Sequence, residues 1–285
     1  MQNGYYRFPT INQDTVIFIS EDDMWTIPAT GGIARRLTAN LGEVSDPMLS
    51  PDGQLLAFTG RDEGETEVYC MPATGGQAKR LTYLGVTSTP VGWTRDGKSI
   101  IFTSNTAQSF YHIFKLYTIS PEGGQIEALP TGEALSISYG ANGGVVISQN
   151  AVDLAGWKRY RGGRCGKIWI DPHGKGEWQT LIKLDSNLAS PLWLDERIYF
   201  VADHEGIGNI YSCLPNGENL DRHTHHNDYF VRFPNTDGKR IVFLTHLKIH
   251  QKKSISNFTA RVLKLSENLL ILVIILNHTV STQKD

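Results

Sequence analysis

Apolar residues in this 285-residue chain fall in runs of four to six, and each run is closed by turn-forming residues. One stretch shows the pattern clearly. After residues 46–50 come Pro51-Asp52-Gly53, then Leu55-Leu56-Ala57-Phe58-Thr59, Glu67-Val68-Tyr69-Cys70-Met71 and Ala78-Lys79-Arg80-Leu81-Thr82. Asp-Gly supplies the positive φ and the self-capping carboxylate of a tight hairpin, and Gly75-Gly76 does the same between the third and fourth runs. No segment of the body sustains a 3.6-residue apolar period, so short antiparallel strands are expected and helix is not.

The set of four runs repeats roughly every 45 residues. Asp52-Gly53 returns as Asp96-Gly97; Thr30-Gly31-Gly32 returns as Thr74-Gly75-Gly76 and again as Glu122-Gly123-Gly124; Arg36-Leu37-Thr38 returns as Arg80-Leu81-Thr82. Self-similarity at this period, built of four short strands, predicts a propeller. Units are read at 4–38, 43–82, 86–130, 135–182 and 188–224, and a sixth begins at 228, turns at Asp237-Gly238 and stops matching after residue 246. The expected fold is therefore all-β: a β-propeller of four-stranded antiparallel blades, five complete plus a partial sixth, with a non-propeller C-terminal tail.

That tail, residues 247–285, contains none of the chain's 28 Gly, 12 Pro or 6 Trp, and residues 269–276 are eight consecutive apolar positions. Eight is far short of the ~20 needed to span a bilayer. The tail reads as aberrant or unrelated material, for instance an out-of-frame end; a terminal strand or helix is the other reading. The octet 269–276, an uncharged, strand-prone window, is an aggregation hazard if exposed, with the unfinished sixth blade as a partner for pairing.

Charge changes the picture little: 27 basic against 29 acidic residues leave a net −2, which favours neither nucleic acid nor anionic lipid. Cys70, Cys165 and Cys213 are too few and too scattered for a disulfide framework, and Cys70 and Cys213, on third runs of their units, read as small core residues of a reducing compartment. Residues 1–10 carry no basic start and no apolar core, so no signal peptide and a cytoplasmic location are expected.

Candidate chemistry is sparse. Residues 157–167 carry five cations, two aromatics and three glycines, and Arg159, Arg161, Arg164 and Lys167 are the candidate substrate-binding residues, because Arg presents a planar fork to carboxylate or phosphate. The alternative is a solvated connection whose glycines only shape the turn. The same segment is not a P-loop: three residues separate its glycines and Ile168 follows the Lys. His223, His225, His226 and Asp228 lack a partner cluster with metal spacing and read as a polar connecting loop, and the acidic stretch 62–67 reads as a solvated tip. There is no Gly-x-Ser-x-Gly elbow, no catalytic residue is assigned, and no cofactor or metal is called.

Residues 47–53, Pro-x-x-Ser-Pro-Asp-Gly, with Arg-Leu-Thr closing the blade, resemble the WD40-like repeats of TolB and tricorn-type proteases. The segment Trp157-Lys158-x-Tyr160-Arg161-Gly162-Gly163-x-x-Gly166-Lys167-Ile168-Trp169-Ile170 resembles the fourth blade of the tricorn protease N-terminal propeller. Asp22-Asp23-x-Trp25, Arg197-Ile198-Tyr199-Phe200, Gly208-x-Ile210-Tyr211-Ser212, His223-Thr224 and Asn235-Thr236-Asp237-Gly238-x-Arg240-Ile241 continue the likeness in the same order.

The resemblance implies a non-catalytic first propeller of a large serine peptidase that trims short peptides. In that family the propeller is held over the active site, helps to route products and anchors the substrate's C-terminal carboxylate. The expected partners are peptides and downstream protease domains or subunits, with a homo-oligomer in the intact protein. In an archaeal member two adjacent arginines after the second blade hold the carboxylate; the corresponding loop here, 83–90, has no Arg. Either Arg159, Arg161 or Arg164 takes over that role or anchoring is done differently. A stand-alone TolB-like scaffold is the alternative reading, and a prolyl-oligopeptidase-like gate fits these motifs less well.

Overall fold

The structure, a computed structural model, describes residues 6–245 except 40, 41, 63 and 141, together with the backbone of 259–266 and 269–275. Five four-stranded antiparallel sheets follow one another along the chain, each running from an inner first strand to an outer fourth, which is only two residues long in blades 1, 2, 4 and 5. Blade 1 is Tyr6–Asn12, Thr15–Ser20, Asp23–Pro28 and Arg35–Arg36; blade 2 is Glu43–Leu49, Leu55–Arg61, Glu67–Pro72 and Lys79–Arg80. Blade 3 is Ser88–Trp93, Ile100–Ser104, Lys115–Ile119 and Glu127–Glu133; blade 4 is Ser136–Tyr139, Val145–Gln149, Lys167–Asp171 and Gln179–Thr180. Blade 5 is Leu188–Leu194, Arg197–Ala202, Asn209–Cys213 and Asp221–Arg222. No helix occurs among the described residues.

The sixth sheet starts like a blade, with Arg232–Thr236 antiparallel to Ile241–Leu244. Its third place is taken by Leu269–Ile275, paired parallel to Ile241–Leu244, and its fourth by Thr259–Ser266, which runs on to Gly32–Ile33 of blade 1. A parallel third strand is foreign to the up-and-down order of the other five. The rest of the tail, including Leu276 of the apolar octet, lies outside the described residues.

Second strands are apolar without alternation because each sheet is covered on both faces by its neighbours, the situation in which a strand reads as a continuous apolar run. Phe18, Phe58, Phe102, Phe200 and Phe243 occupy these strands in five sheets, and all are fully buried. Four of them lie directly across from an aromatic residue of the third strand: Trp25, Tyr69, Tyr117 and Tyr211. Ring centroids of Phe58–Tyr69 and Phe102–Tyr117 are 5.6 Å apart, within the favourable range for aromatic pairs. Each such Phe contributes about 1.5–3 kcal/mol through burial alone. The core is six clusters, one between each pair of adjacent sheets. One of them joins Ile11, Val16 and Phe18 of blade 1 to Val242 and Leu244 of the sixth sheet, so the ring is closed by packing rather than left open. Thr10 adds a hydrogen bond to Asn235 Oδ1, 3.2 Å long.

The repeated Arg-Leu-Thr has a specific task. Thr82 Oγ1 accepts the Val68 N–H at 2.9 Å and donates to Glu67, whose carboxylate also pairs with Arg80 at 3.2 Å and takes the Gly85 N–H. Thr38 does the same for Met24 and Asp23 in blade 1, and Thr224 for Ile210 and Asn209 in blade 5. In blades 1, 2 and 5 the hydroxyl thus latches the end of the blade to the start of its third strand. Glu67, which the acidic stretch places on a solvated tip, is therefore buried at 1% exposure, while Asp62 of that stretch receives the Tyr69 hydroxyl at 2.6 Å.

Candidate functional site: the central channel

Five of the six innermost strands contain a proline: Pro9, Pro47, Pro90, Pro191 and Pro234. Proline has no N–H to donate, and it fits here because the inner edge of each sheet faces the channel rather than another strand. In four strands the residue before it sits in the left-handed region, with φ of 49° at Phe8, 49° at Asp46, 52° at Ser190 and 51° at Phe233. The pairing register shifts at each of these points. Such bulges re-aim side chains, and here they deliver Phe8, Asp46, Ser190 and Phe233 to one end of the channel, where all four line the same cavity.

That cavity measures about 680 Å3. A second cavity, of about 730 Å3, opens among the turns between first and second strands on the opposite face. The two meet at Met48, Val91, Ile137, Leu192 and Asn235, one residue from each of blades 2–6. The molecule thus carries a channel through its centre with a mostly apolar waist.

The two mouths differ. At the first, the rings of Phe8 and Phe233 stand 4.2 Å apart, and Arg232 grips Asp153 through Nε at 2.8 Å and a terminal nitrogen at 2.5 Å. Burial pushes the Asp153 carboxyl up and the Arg232 guanidinium down. Asp46 receives the Ser45 hydroxyl at 2.7 Å and makes no close ion pair among the described residues; burial holds its carboxyl up to about 6, opposed by Ser45, Arg7 and Thr59. The second mouth is lined by Trp93, Trp193, Tyr139 and the cations Arg95, Lys239 and Arg240. Arg95 lies over the Tyr139 ring at 5.1 Å, and Arg240 pairs with Asp237 at 2.7 Å. Gly140 and Gly144 make room for Trp193: a Cβ at either position would lie 2.3 or 2.5 Å from its indole ring.

The basic segment 157–167 forms the loop between the second and third strands of blade 4, on the side of the first mouth. Arg159 and Arg161 come together on blade 5: the Arg159 backbone N–H donates to Asp203 Oδ2 at 2.9 Å and its guanidinium to the Gly206 carbonyl at 3.2 Å, and Arg161 pairs with Asp203 at 2.9 Å and Asp185 at 3.2 Å. Asp203 has a completely buried side chain, so Arg161 is its counter-charge. Arg164 points elsewhere, toward a cavity of about 140 Å3 between blades 3 and 4, lined also by His112, Glu133, Gln149 and Asn150. Lys167 is exposed at the start of the third strand. Composition signalled the loop but not this division of its cations, which depends on Asp203 of the next blade.

A Ser–His contact does exist, Ser212 Oγ to His223 Nε2 at 2.7 Å. Ser212 is fully buried, its Oγ also receives Arg197 Nε at 2.8 Å, and neither residue lines any cavity described above. It holds the outer strands of blade 5 together. Among the described residues no group of three or more His, Cys, Asp or Glu is placed to hold a metal, and no helix is long and apolar enough to cross a membrane.

Residues 3–257 match the family model of the Tricorn protease N-terminal beta propeller domain. The chain belongs to the tricorn N-terminal propeller family. It is 39% identical over 242 residues to Tricorn protease homolog 1 of Streptomyces coelicolor, an alignment covering 84% of this chain but 23% of that relative. The crystal structure of the tricorn protease superposes with a TM-score of 0.79 at 31% identity, covering 86% of this chain and 24% of that one. A Putative Tricorn-like protease N-terminal subunit of Sulfurisphaera tokodaii is 31% identical over 174 residues, 59% of this chain and 86% of that protein. The chain thus spans about a quarter of the length of the large tricorn relatives, and in the Sulfurisphaera protein the tricorn propeller region is carried by a protein named as a subunit.

Proposed function

We propose that this chain is the non-catalytic propeller portion of a tricorn-like serine peptidase that degrades short peptides, and that its channel passes peptides to or from an active site on other domains or subunits. The observation that carries this reading is the channel itself, two wide mouths joined at an apolar waist, in a chain of the tricorn propeller family.

Arg164, exposed beside its small cavity, and Lys167 are the loop cations with the best access to a peptide carboxylate, whereas Arg159 and Arg161 act through blade 5 to hold the loop. Exposed Tyr83, Phe110, Tyr111 and Trp157 lie in loops on the side of the first mouth, and that face is the docking side for the remaining protease, whose assembly is a homo-oligomer. Residues 247–285 are non-propeller material, a reading supported by the parallel strand they contribute. A cytoplasmic setting accords with three unpaired cysteines.

Plugging the waist tests the channel. Ile137→Trp and Leu192→Trp should weaken binding of tri- to hexapeptides at least tenfold, read by calorimetry, without unfolding the chain. Unchanged binding in both variants would sink the proposal.

A further inference from the structure

The side chains that the inner-strand bulges deliver to the first mouth are not equivalent. Going round the ring from the sixth sheet, they are Phe233, Phe8, Asp46 and, in blade 5, Ser190. An aromatic pair therefore shares with a carboxylate a cavity lined elsewhere by proline, threonine and aliphatic carbon and by the charged side chains of Arg7, Asp153 and Arg232. The other charges of this mouth are occupied. Asp153 and Arg232 are bound to each other, and Arg7 donates to the Glu21 carbonyl at 3.0 Å and lies 4.0 Å from Glu43. Asp46 takes a short hydrogen bond from the Ser45 hydroxyl and feels Arg7 and Thr59 nearby, but forms no close ion pair among the described residues. A half-buried carboxylate whose nearest cation, Arg7, is shared with Glu43 and the Glu21 carbonyl is only partly compensated, and a residue other than glycine held at φ 49° is a position where backbone strain has been retained.

We infer that this mouth is a subsite for an alkylammonium group, the amino terminus of a peptide, which Asp46 receives with Phe8 and Phe233 alongside. A carboxylate with adjacent aromatic faces is the combination that favours an ammonium over a neutral amide, through a charge-assisted hydrogen bond and attraction to the ring face. It also gives the channel a direction: the amino end of a peptide rests at the first mouth and the remainder extends toward the waist. The burial that raises the Asp46 carboxyl to about 6 leaves it ionised above neutral pH, so an incoming ammonium supplies a closer counter-charge than Arg7 does. This subsite rests on the peptide-passage reading proposed above, and goes beyond it by naming the end that is recognised and the group that recognises it.

Three C-terminally amidated tripeptides of one apolar sequence provide the test on the 285-residue chain at pH 7.5: one with a free amino terminus, one N-acetylated, and one N-acetylated with a lysine in place of the first residue. Acetylation should weaken binding to the parent chain at least tenfold, and Asp46→Asn should reduce that difference to within about twofold. Asn tolerates the left-handed conformation. If that variant folds poorly, Asp46→Ser takes its place, since Ser190 already occupies the equivalent position in blade 5. Recovery of affinity by the lysine peptide supports the ammonium chemistry while removing the preference for a terminus. Equal binding of free and acetylated peptides to the parent refutes the subsite and leaves the passage reading standing. An undiminished tenfold difference in the Asp46 variants refutes the assignment to Asp46. Absence of any peptide binding to the parent removes both readings.

Discussion

Asp46→Asn has a stability consequence whose sign depends on pH. The folded chain holds this carboxyl at about 6 against an ordinary value of 3.8, mainly because burial disfavours the charge. A raised folded value means that the native state binds its proton more tightly than the unfolded chain does. The corresponding stability is fully present below about pH 4, is lost between pH 4 and 6, and is absent above. The full difference is worth roughly 3 kcal/mol, and partial exposure of the side chain reduces it to about 1–2 kcal/mol through solvent screening. Asn carries no charge and accepts the left-handed backbone. At pH 8 the variant should therefore be the more stable chain by about 1–2 kcal/mol, which for a protein of this size raises Tm by about 2–8 °C. At pH 4 the two should melt together. Thermal unfolding followed by circular dichroism from pH 4 to 8 reads this directly. A Tm difference that does not change with pH, or a variant less stable at pH 8, would show that Arg7 compensates the Asp46 charge more than burial penalises it.

Three further outcomes follow from the packing. Glu67→Ala strips the blade-2 latch of its acceptor and leaves the Thr82 hydroxyl, Arg80 and the Gly85 N–H without their partner; chemical denaturation should show a loss of about 3–5 kcal/mol, and a loss below 1 would contradict the latch. Gly140→Ala drives a Cβ into the Trp193 indole; we expect about 1–3 kcal/mol of destabilisation with a changed Trp emission, and an unaltered spectrum and Tm would contradict the close packing. Arg161→Ala should lower stability by about 3–5 kcal/mol because it leaves Asp203 buried and uncompensated, whereas Arg164→Ala should leave Tm unchanged and weaken free-carboxylate peptides relative to amidated ones; equal binding of the two peptide forms to the unsubstituted chain would remove the carboxylate role.

The repeat made the fold legible because its signals are local. Asp-Gly hairpins, runs buried on both faces and the Arg-Leu-Thr close are each encoded within a few residues, and the five antiparallel blades appear where their spacing places them. The Phe-Pro, Asp-Pro and Ser-Pro steps were visible too, but their meaning was not. A bulge becomes a binding feature only when six inner strands converge, and nothing in residues 46–47 alone announces Phe233 two strands away in space. For the same reason the basic loop was readable as a cluster while its internal division was hidden: Asp203, which claims Arg159 and Arg161, lies more than 40 positions downstream. The buried Glu67 was misplaced because charge density in 62–67 pointed to solvent, whereas Thr82 and Arg80 supply partners from the other end of the blade.

The central claim is a channel that handles peptides without cleaving them. A short peptide carrying a photoreactive side chain, irradiated with the chain and mapped by mass spectrometry, tests it most directly. Cross-links should concentrate at Met48, Val91, Ile137 and Leu192 and around the first mouth, with the peptide recovered intact. Cross-links confined to the outer strands, or cleaved peptide that persists through purification of the chain, would contradict the account.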